Sequence, residues 1–188
     1  MPKIDKDWVE AYFNYGVDVA NRRLFIGEID EDKILAAVKG LYLMDTMSRD
    51  PCEMFISSYG GSVHEALALY DIMHTVKCPI HTFAFGKCMS AAPLLLAAGE
   101  PGHRWVAQHV AFMTHDWGAE IEGKGSEIKA TVKHFDEIGE LWNRLIAKHS
   151  AKPYAHWAKL SKKSADHYFT AEDAMEWGIA DSIWSEKE

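Results

Sequence analysis

An α/β fold is predicted by three features of the sequence. Short apolar runs of strand length alternate with amphipathic stretches of helical period. Glycines sit at the joints between them. The order strand, helix, strand, helix, strand, helix over the first hundred residues demands parallel pairing. The 188 residues are 48% hydrophobic and 12% aromatic, enough for one domain with a real core.

Residues 1–21 form a terminal arm in which Trp8, Tyr12, Phe13 and Tyr15 stand among charges with no clear period, so neither strand nor helix is expected. Arg23 to Gly27 reads as a strand stopped by its glycine. Ile34, Val38, Leu41 and Met44 recur at helical spacing behind Asp30, Glu31 and Asp32, acids suited to the positive end of a helix dipole. Glu53 to Ser57 gives a second strand. Ser58-Tyr59-Gly60-Gly61-Ser62 reads as a glycine turn into a helix carrying Val63, Ala66, Leu67, Tyr70 and Met73 on one face.

Ile80 to Phe85 is the third strand, with Phe83 and Phe85 on one side and Thr82 and Ala84 on the other. Gly86 breaks it, and the chain turns helical from about Met89, with Leu94 to Ala98 as the apolar continuation. Ser90 therefore falls at a strand-to-helix joint, where unpaired N–H groups can receive an oxyanion. No glycine flanks it in the G-x-S-x-G pattern.

Arg104–Val106 and Val110–His115 are further strands, the second ending on His115. Trp117 to Gly125 is acidic and partly alternating. Ile128, Val132, Phe135, Ile138, Trp142, Leu145 and His149 then hold a helical period for about six turns. That stripe is longer than the remaining core can cover, so a contact with another subunit is expected. Pro153 starts a short helix. Thr170-Ala171-Glu172-Asp173 forms a capping box for the last one, which Gly178 closes, and Ile179–Trp184 ends the chain as a strand.

The bulk properties exclude several classes. A net charge of −8 argues against nucleic acid or an anionic membrane as partner. No apolar run approaches the length of a membrane span. The amino-terminal residues lack the apolar core of a signal peptide. Cys52, Cys78 and Cys88, odd in number and without C-x-x-C spacing, fit a reduced, cytoplasmic chain. Ten histidines form no metal-binding spacing, so no metal is expected. No G-x-x-x-x-G-K-[ST] is present, so no cofactor and no ATP site are expected in this chain. A nucleophile at Ser90 needs a base and the base an orienting carboxylate. His115 is the candidate base. Asp116, Asp136, Asp166, Asp173 and Asp181 are equally open as orienter.

Several motifs in order resemble the Clp protease proteolytic subunit, a serine peptidase family. They are Ser58-Tyr59-Gly60-Gly61-Ser62-Val63, Tyr70-Asp71-Ile72-Met73, Gly86-x-x-x-Ser90, Leu95-x-x-Ala98-Gly99, Met113-Thr114-His115-Asp116, and Asp166 through Ile183. The resemblance runs from about residue 20 to 185 within a single domain spanning 1–188. It implies Ser90 as nucleophile, His115 as general base and Asp166 as orienter, with an oxyanion hole from the N–H groups of Gly61 and Ala91. It also implies a crotonase-like spiral of β-β-α units, with a handle strand and protruding helix over about 117–150. The handle would join two heptameric rings into a tetradecamer. Substrate polypeptide would lie extended beside the glycine turn and Trp117–Ile121, fed by an AAA+ unfoldase of the ClpX, ClpA or ClpC type.

The chain departs from the pattern in places. Tyr59 stands for the family's proline, Ala91-Ala92 for Met-Gly, Asp116-Trp117 for Gln-Pro, Ala119-Glu120 for the handle glycines, and Ala165 for an arginine that pairs across the rings. The resemblance leaves three further readings: a motor-independent processing peptidase, a regulatory ring subunit, and acyl-CoA chemistry on the related crotonase fold.

Overall fold

The computed structural model describes residues 6–162 and 165–184. In chain order these form α1 (Lys6–Tyr15), β1 (Val17–Asp18), β2 (Arg23–Ile29), α2 (Glu31–Met47), β3 (Cys52–Gly61), α3 (Val63–Met73), β4 (Ile80–Met89) and α4 (Ala92–Ala97). Then follow β5 (Arg104–Ala107), β6 (Ala111–Thr114), α5 (Gly125–Lys148), α6 (Tyr154–Ser161), β7 (His167–Phe169), α7 (Ala171–Glu176) and β8 (Ser182–Trp184). The alternation expected for an α/β protein is present, and among the described residues no helix is long and apolar enough to cross a membrane.

Three strands are longer than the sequence suggests, because their glycines bend them instead of ending them. The ladder between β2 and β3 slips between Ile26 and Glu28, at Gly27, and then resumes through Gly60 and Gly61. The ladder between β3 and β4 slips between Ile56 and Ser58. In β4, Gly86 sits at φ +64. Before it, Thr82–Ala84 pair with β5; after it, Lys87–Met89 pair with β6. Each unit is thus a bent strand followed by a helix, the β-β-α spiral that the resemblance implies. The main sheet runs β1-β2-β3-β4-β5-β8, all parallel except β1, and the strand ends past the bends carry β6 and β7.

Period-2 alternation sorts the sheet's two faces. Leu24, Ile26, Met54, Ile56, Ala84 and Val106 are buried beneath the helices, with Leu41, Met44, Leu69 and Leu94–Leu96 above them. On the opposite face, Phe25, Phe55, Phe83 and Trp105 stack across four strands at centroid spacings of 5.1, 4.8 and 4.7 Å. These rings are only half-buried, and Phe85 beside them is exposed.

The helices follow their caps. Asp30 accepts from the Lys33 N–H (2.9 Å) at the start of α2, and Thr170 and Asp173 form the expected reciprocal capping box on α7. At the other edge Arg104 is nearly buried, gripping Asp181 through two nitrogens (2.8 and 2.5 Å) and donating to the His149 carbonyl (2.8 Å).

Three expectations fail, and one strand is added. The arm is not irregular: residues 6–15 are helical, and Tyr12 meets Phe25 edge to face at 5.4 Å, a tertiary contact that no local period reveals. Residues 1–5 and the side chain of Trp8 lie outside the described residues. The three-residue β7 was not foreseen; it is defined only by antiparallel pairing with β6. The handle strand is not formed, since residues 115–124 pair with no strand among the described residues. Trp117 donates its backbone N–H to its neighbour Asp116, and Lys124 to Glu127. An isolated segment without an edge to pair with has no ladder to stabilise it.

Finally, the α5 stripe is divided. Ile138, Trp142 and Ile146 are buried in this chain's own core, with Trp142 set edge to face on Trp157 at 6.2 Å. Trp142 is therefore a core residue, not the subunit contact expected from the stripe. Ile128, Val132 and Phe135 in the first half remain half-buried.

Candidate active site

The strand ends past the bends converge on Ser90. It closes β4 at φ +58, a left-handed conformation that few residues other than glycine adopt. Its N–H is held by the Met113 carbonyl at 2.8 Å. The hydroxyl is thereby turned out of the strand at the foot of α4. The sequence lacks the glycine-flanked elbow, yet the backbone makes a strained elbow of the same kind.

β6 supplies the neighbour. Because Met89 pairs with Met113, the residue after each strand falls beside the other, and His115 Nε2 lies 2.7 Å from Ser90 Oγ. This is the hydrogen-bonding distance that proton transfer needs.

The glycine pair forms the floor. A Cβ on Gly60 would fall 2.6 Å from Ser90 Cβ and 2.9 Å from the Met89 carbonyl oxygen. At φ +101 that position suits glycine on conformational grounds as well. Ser58, fully buried, accepts the Gly60 N–H through its hydroxyl at 2.9 Å. The Gly60 donor is thereby used. Gly61, at φ +146, packs so tightly on Ile29 that a Cβ would lie 2.3 Å from that carbonyl oxygen. Ala91 caps α4 directly after Ser90.

Of the five candidate orienters, four are occupied elsewhere. Asp116 accepts from its own neighbour's N–H, Asp136 from Trp117 Nε1 (3.0 Å), Asp173 from the α7 cap, and Asp181 from Arg104. Asp166 is exposed and, among the described residues, has only a long contact with the Tyr168 hydroxyl at 3.4 Å. Since Thr114 pairs with His167 on antiparallel strands, Asp166 is next in register opposite His115. Among the described residues no hydrogen bond joins the two. Ser90 and His115 are thus brought together, and Asp166 is brought alongside but not into contact.

A cleft of about 310 Å³ opens beside the pair. Val63, Trp117, Phe135, Ile138 and Trp142 give it apolar walls, and His64 and Ser161 add polar edges. Trp117 stacks on Phe135 at 5.2 Å, and so the segment after His115 lies against α5. Sequence reasoning placed substrate beside Trp117 and the glycine turn, but it missed Val63, Phe135, Ile138 and Trp142 as cleft walls and did not tell Gly60 from Gly61. The first of two adjacent glycines gave no sign that it, and not the second, faces the nucleophile. Cys88, on β4 two residues before Ser90 and fully buried, has its thiol pKa pushed far up by burial, which leaves it un-ionised.

Among the described residues no group of three or more His, Cys, Asp or Glu is arranged to hold a metal. The serine–histidine contact, the glycine floor and the bent β-β-α strands all agree with one known family. Its model, described as Clp protease, matches residues 10–187, and the protein therefore belongs to the Clp protease family of peptidases.

Proposed function

We propose that the protein is a serine endopeptidase that cleaves extended polypeptide through an acyl-enzyme. The observation that carries this reading is the 2.7 Å contact between His115 Nε2 and Ser90 Oγ at the wall of an apolar cleft. His115 takes the Ser90 proton as the oxygen attacks a substrate carbonyl, and returns it to the leaving amine. Water, deprotonated by the same imidazole, then releases the acyl group and restores Ser90. The Gly61 and Ala91 N–H groups receive the oxyanion. Asp166 orients His115 through Nδ1 once its carboxylate turns from Tyr168 toward the ring, a rotation its register allows.

The enzyme works as a homo-oligomer, a heptamer or double heptamer, fed by an AAA+ unfoldase. Two surfaces support assembly: the half-buried start of α5 and the aromatic face formed by Phe25, Phe55, Phe83 and Trp105. Ring number and motor are read together by native mass measurement of the tagged protein with whatever co-purifies.

A fluorophosphonate probe tests the chemistry. It should label the parent, and Ser90→Ala should abolish both labelling and peptide hydrolysis, with a loss of ~10³-fold or more. Labelling that persists in Ser90→Ala overturns the assignment. Asp166→Asn should cripple turnover more than Asp116→Asn, and the reverse order would move the orienting role to Asp116.

A further inference from the structure

One pair of side chains at the edge of the cleft has no part in the peptidase chemistry. His64, in the first turn of α3, lines the cleft; His134 lies in the first half of α5. Their Nε2 atoms are 3.3 Å apart, their rings tilted by only 21° with centroids at 5.5 Å. Both rings are exposed, and Phe135 backs them at 6.1 and 5.9 Å.

Two imidazoles that face one another in this way share a single proton, since one nitrogen must donate and the other accept. The same separation is also the edge of a tetrahedral metal site. With metal–nitrogen bonds of ~2.0–2.1 Å, nitrogens 3.3 Å apart subtend about 105–110° at the metal. A swing of the two exposed rings that turns both nitrogen lone pairs to one side of the Nε2–Nε2 line is enough to seat the ion. Solvent access leaves the remaining positions to water.

We propose that His64 and His134 form a two-imidazole site for a borderline divalent transition ion, Zn²⁺ or Ni²⁺, which ties α5 to α3 across the edge of the cleft. Two protein ligands make an exchangeable site rather than a resident one, consistent with the lack of any larger ligand cluster among the described residues. Hard ions that favour oxygen, such as Mg²⁺, are excluded by the imidazole donors. Because Phe135 stacks on Trp117, fixing the start of α5 also fixes the segment that follows His115. This consequence for substrate entry rests on the peptidase reading; the metal site does not.

Calorimetric titration of Zn²⁺ and Ni²⁺ into the full chain, free of any histidine tag, tests the site. Histidines elsewhere supply background, so the variants carry the decision. Both His64→Ala and His134→Ala should remove the same tightest event, weakening it by at least ~10-fold, and the double variant should be no weaker. Mg²⁺ should give no matching heat. A parent with no such event, or either variant binding as tightly as the parent, overturns the proposal. Fluorophosphonate labelling with and without Zn²⁺, each protein compared with its own metal-free rate, reads the effect on the cleft. Zn²⁺ should slow the parent and leave His134→Ala at its own metal-free rate; equal slowing in both would also overturn the proposal. Absence of labelling in metal-free protein would sink the peptidase reading while leaving the calorimetric result standing.

Discussion

The Ser90 corner and α5 are the two most prominent features of the sequence, and they are completed in opposite ways. At the corner every constraint lies within one chain. The left-handed Ser90, the Met113 carbonyl that holds its N–H, and Gly60 pressed against its Cβ leave little room for rearrangement. In α5 the constraint is shared. Its second half is fixed by Ile138, Trp142 and Ile146 in the core, while Ile128, Val132 and Phe135 in its first half stay partly open. The contrast teaches that a hydrophobic stripe reports burial but not the chain that provides it. A glycine pair beside a strained serine reports a local fit that nothing else can replace.

That contrast can be broken most directly at Trp142. If the second half of α5 belongs to the protomer's own core, Trp142→Ala should cost about 3–5 kcal/mol of protomer stability, as large buried rings do. Denaturant unfolding of the isolated protomer measures it. A variant with unchanged stability but a smaller particle mass would return Trp142 to a subunit interface.

The corner should be the less forgiving in activity. Gly60→Ala places a methyl at 2.6 Å from Ser90 Cβ, so Ser90 must shift or its turn must open. A displacement of this size at a reacting group costs on the order of 10²-fold in turnover. Steady-state hydrolysis, with circular dichroism to confirm the fold, decides it. Near-parental turnover would mean that the corner is softer than its contacts imply.

The C-terminal end of α5, where it meets α3, should respond to pH. His149, which caps α5, accepts or donates a hydrogen bond at 2.8 Å with the Tyr70 hydroxyl. Burial, and then the charges of His74, Lys148 and Arg104, push its pKa down to about 4. The folded state therefore binds this proton less readily than the unfolded chain, whose histidine titrates near ~6.5. Its neutral form contributes stability above that value, and the contribution falls as pH drops from ~6.5 toward 4. The melting temperature should decline over this window, and less steeply in His149→Gln. An equal slope in both proteins would place the titration elsewhere.

The smallest effect is expected at the open half of α5. Ile128→Ala should change protomer stability by only about 1 kcal/mol, well below the Trp142→Ala loss, because its side chain is only partly covered within the chain. Sedimentation of the same variant should nonetheless show weaker assembly. A large loss of protomer stability would mean that the first half of α5 is as well anchored as the second.

Sequence by itself determined the features that rest on neighbours along the chain. Periodicity placed α2, α3 and α5, Asp30 to Asp32 marked the start of α2, Thr170 with Asp173 marked the start of α7, and alternation assigned Phe83 and Ala84 to opposite faces of β4. Motif order drew Ser90, His115 and Asp166 from the sequence as one set. Only the tertiary structure decided the rest, because it depends on groups far apart in sequence. Gly27 and Gly86 look like strand ends until the ladder resumes beyond each bend, with β3 again after Gly27 and with a second partner, β6, after Gly86. β7 is defined by its pairing with β6, and α1 meets the sheet through the contact of Tyr12 with Phe25. That Asp166, of the five aspartates, lies next in register opposite His115 follows from the pairing of β6 with β7, and that Gly60 faces the nucleophile follows from the position of Ser90. Local propensity is a short-range property, whereas a strand's length and a glycine's role are set by what approaches from elsewhere in the fold.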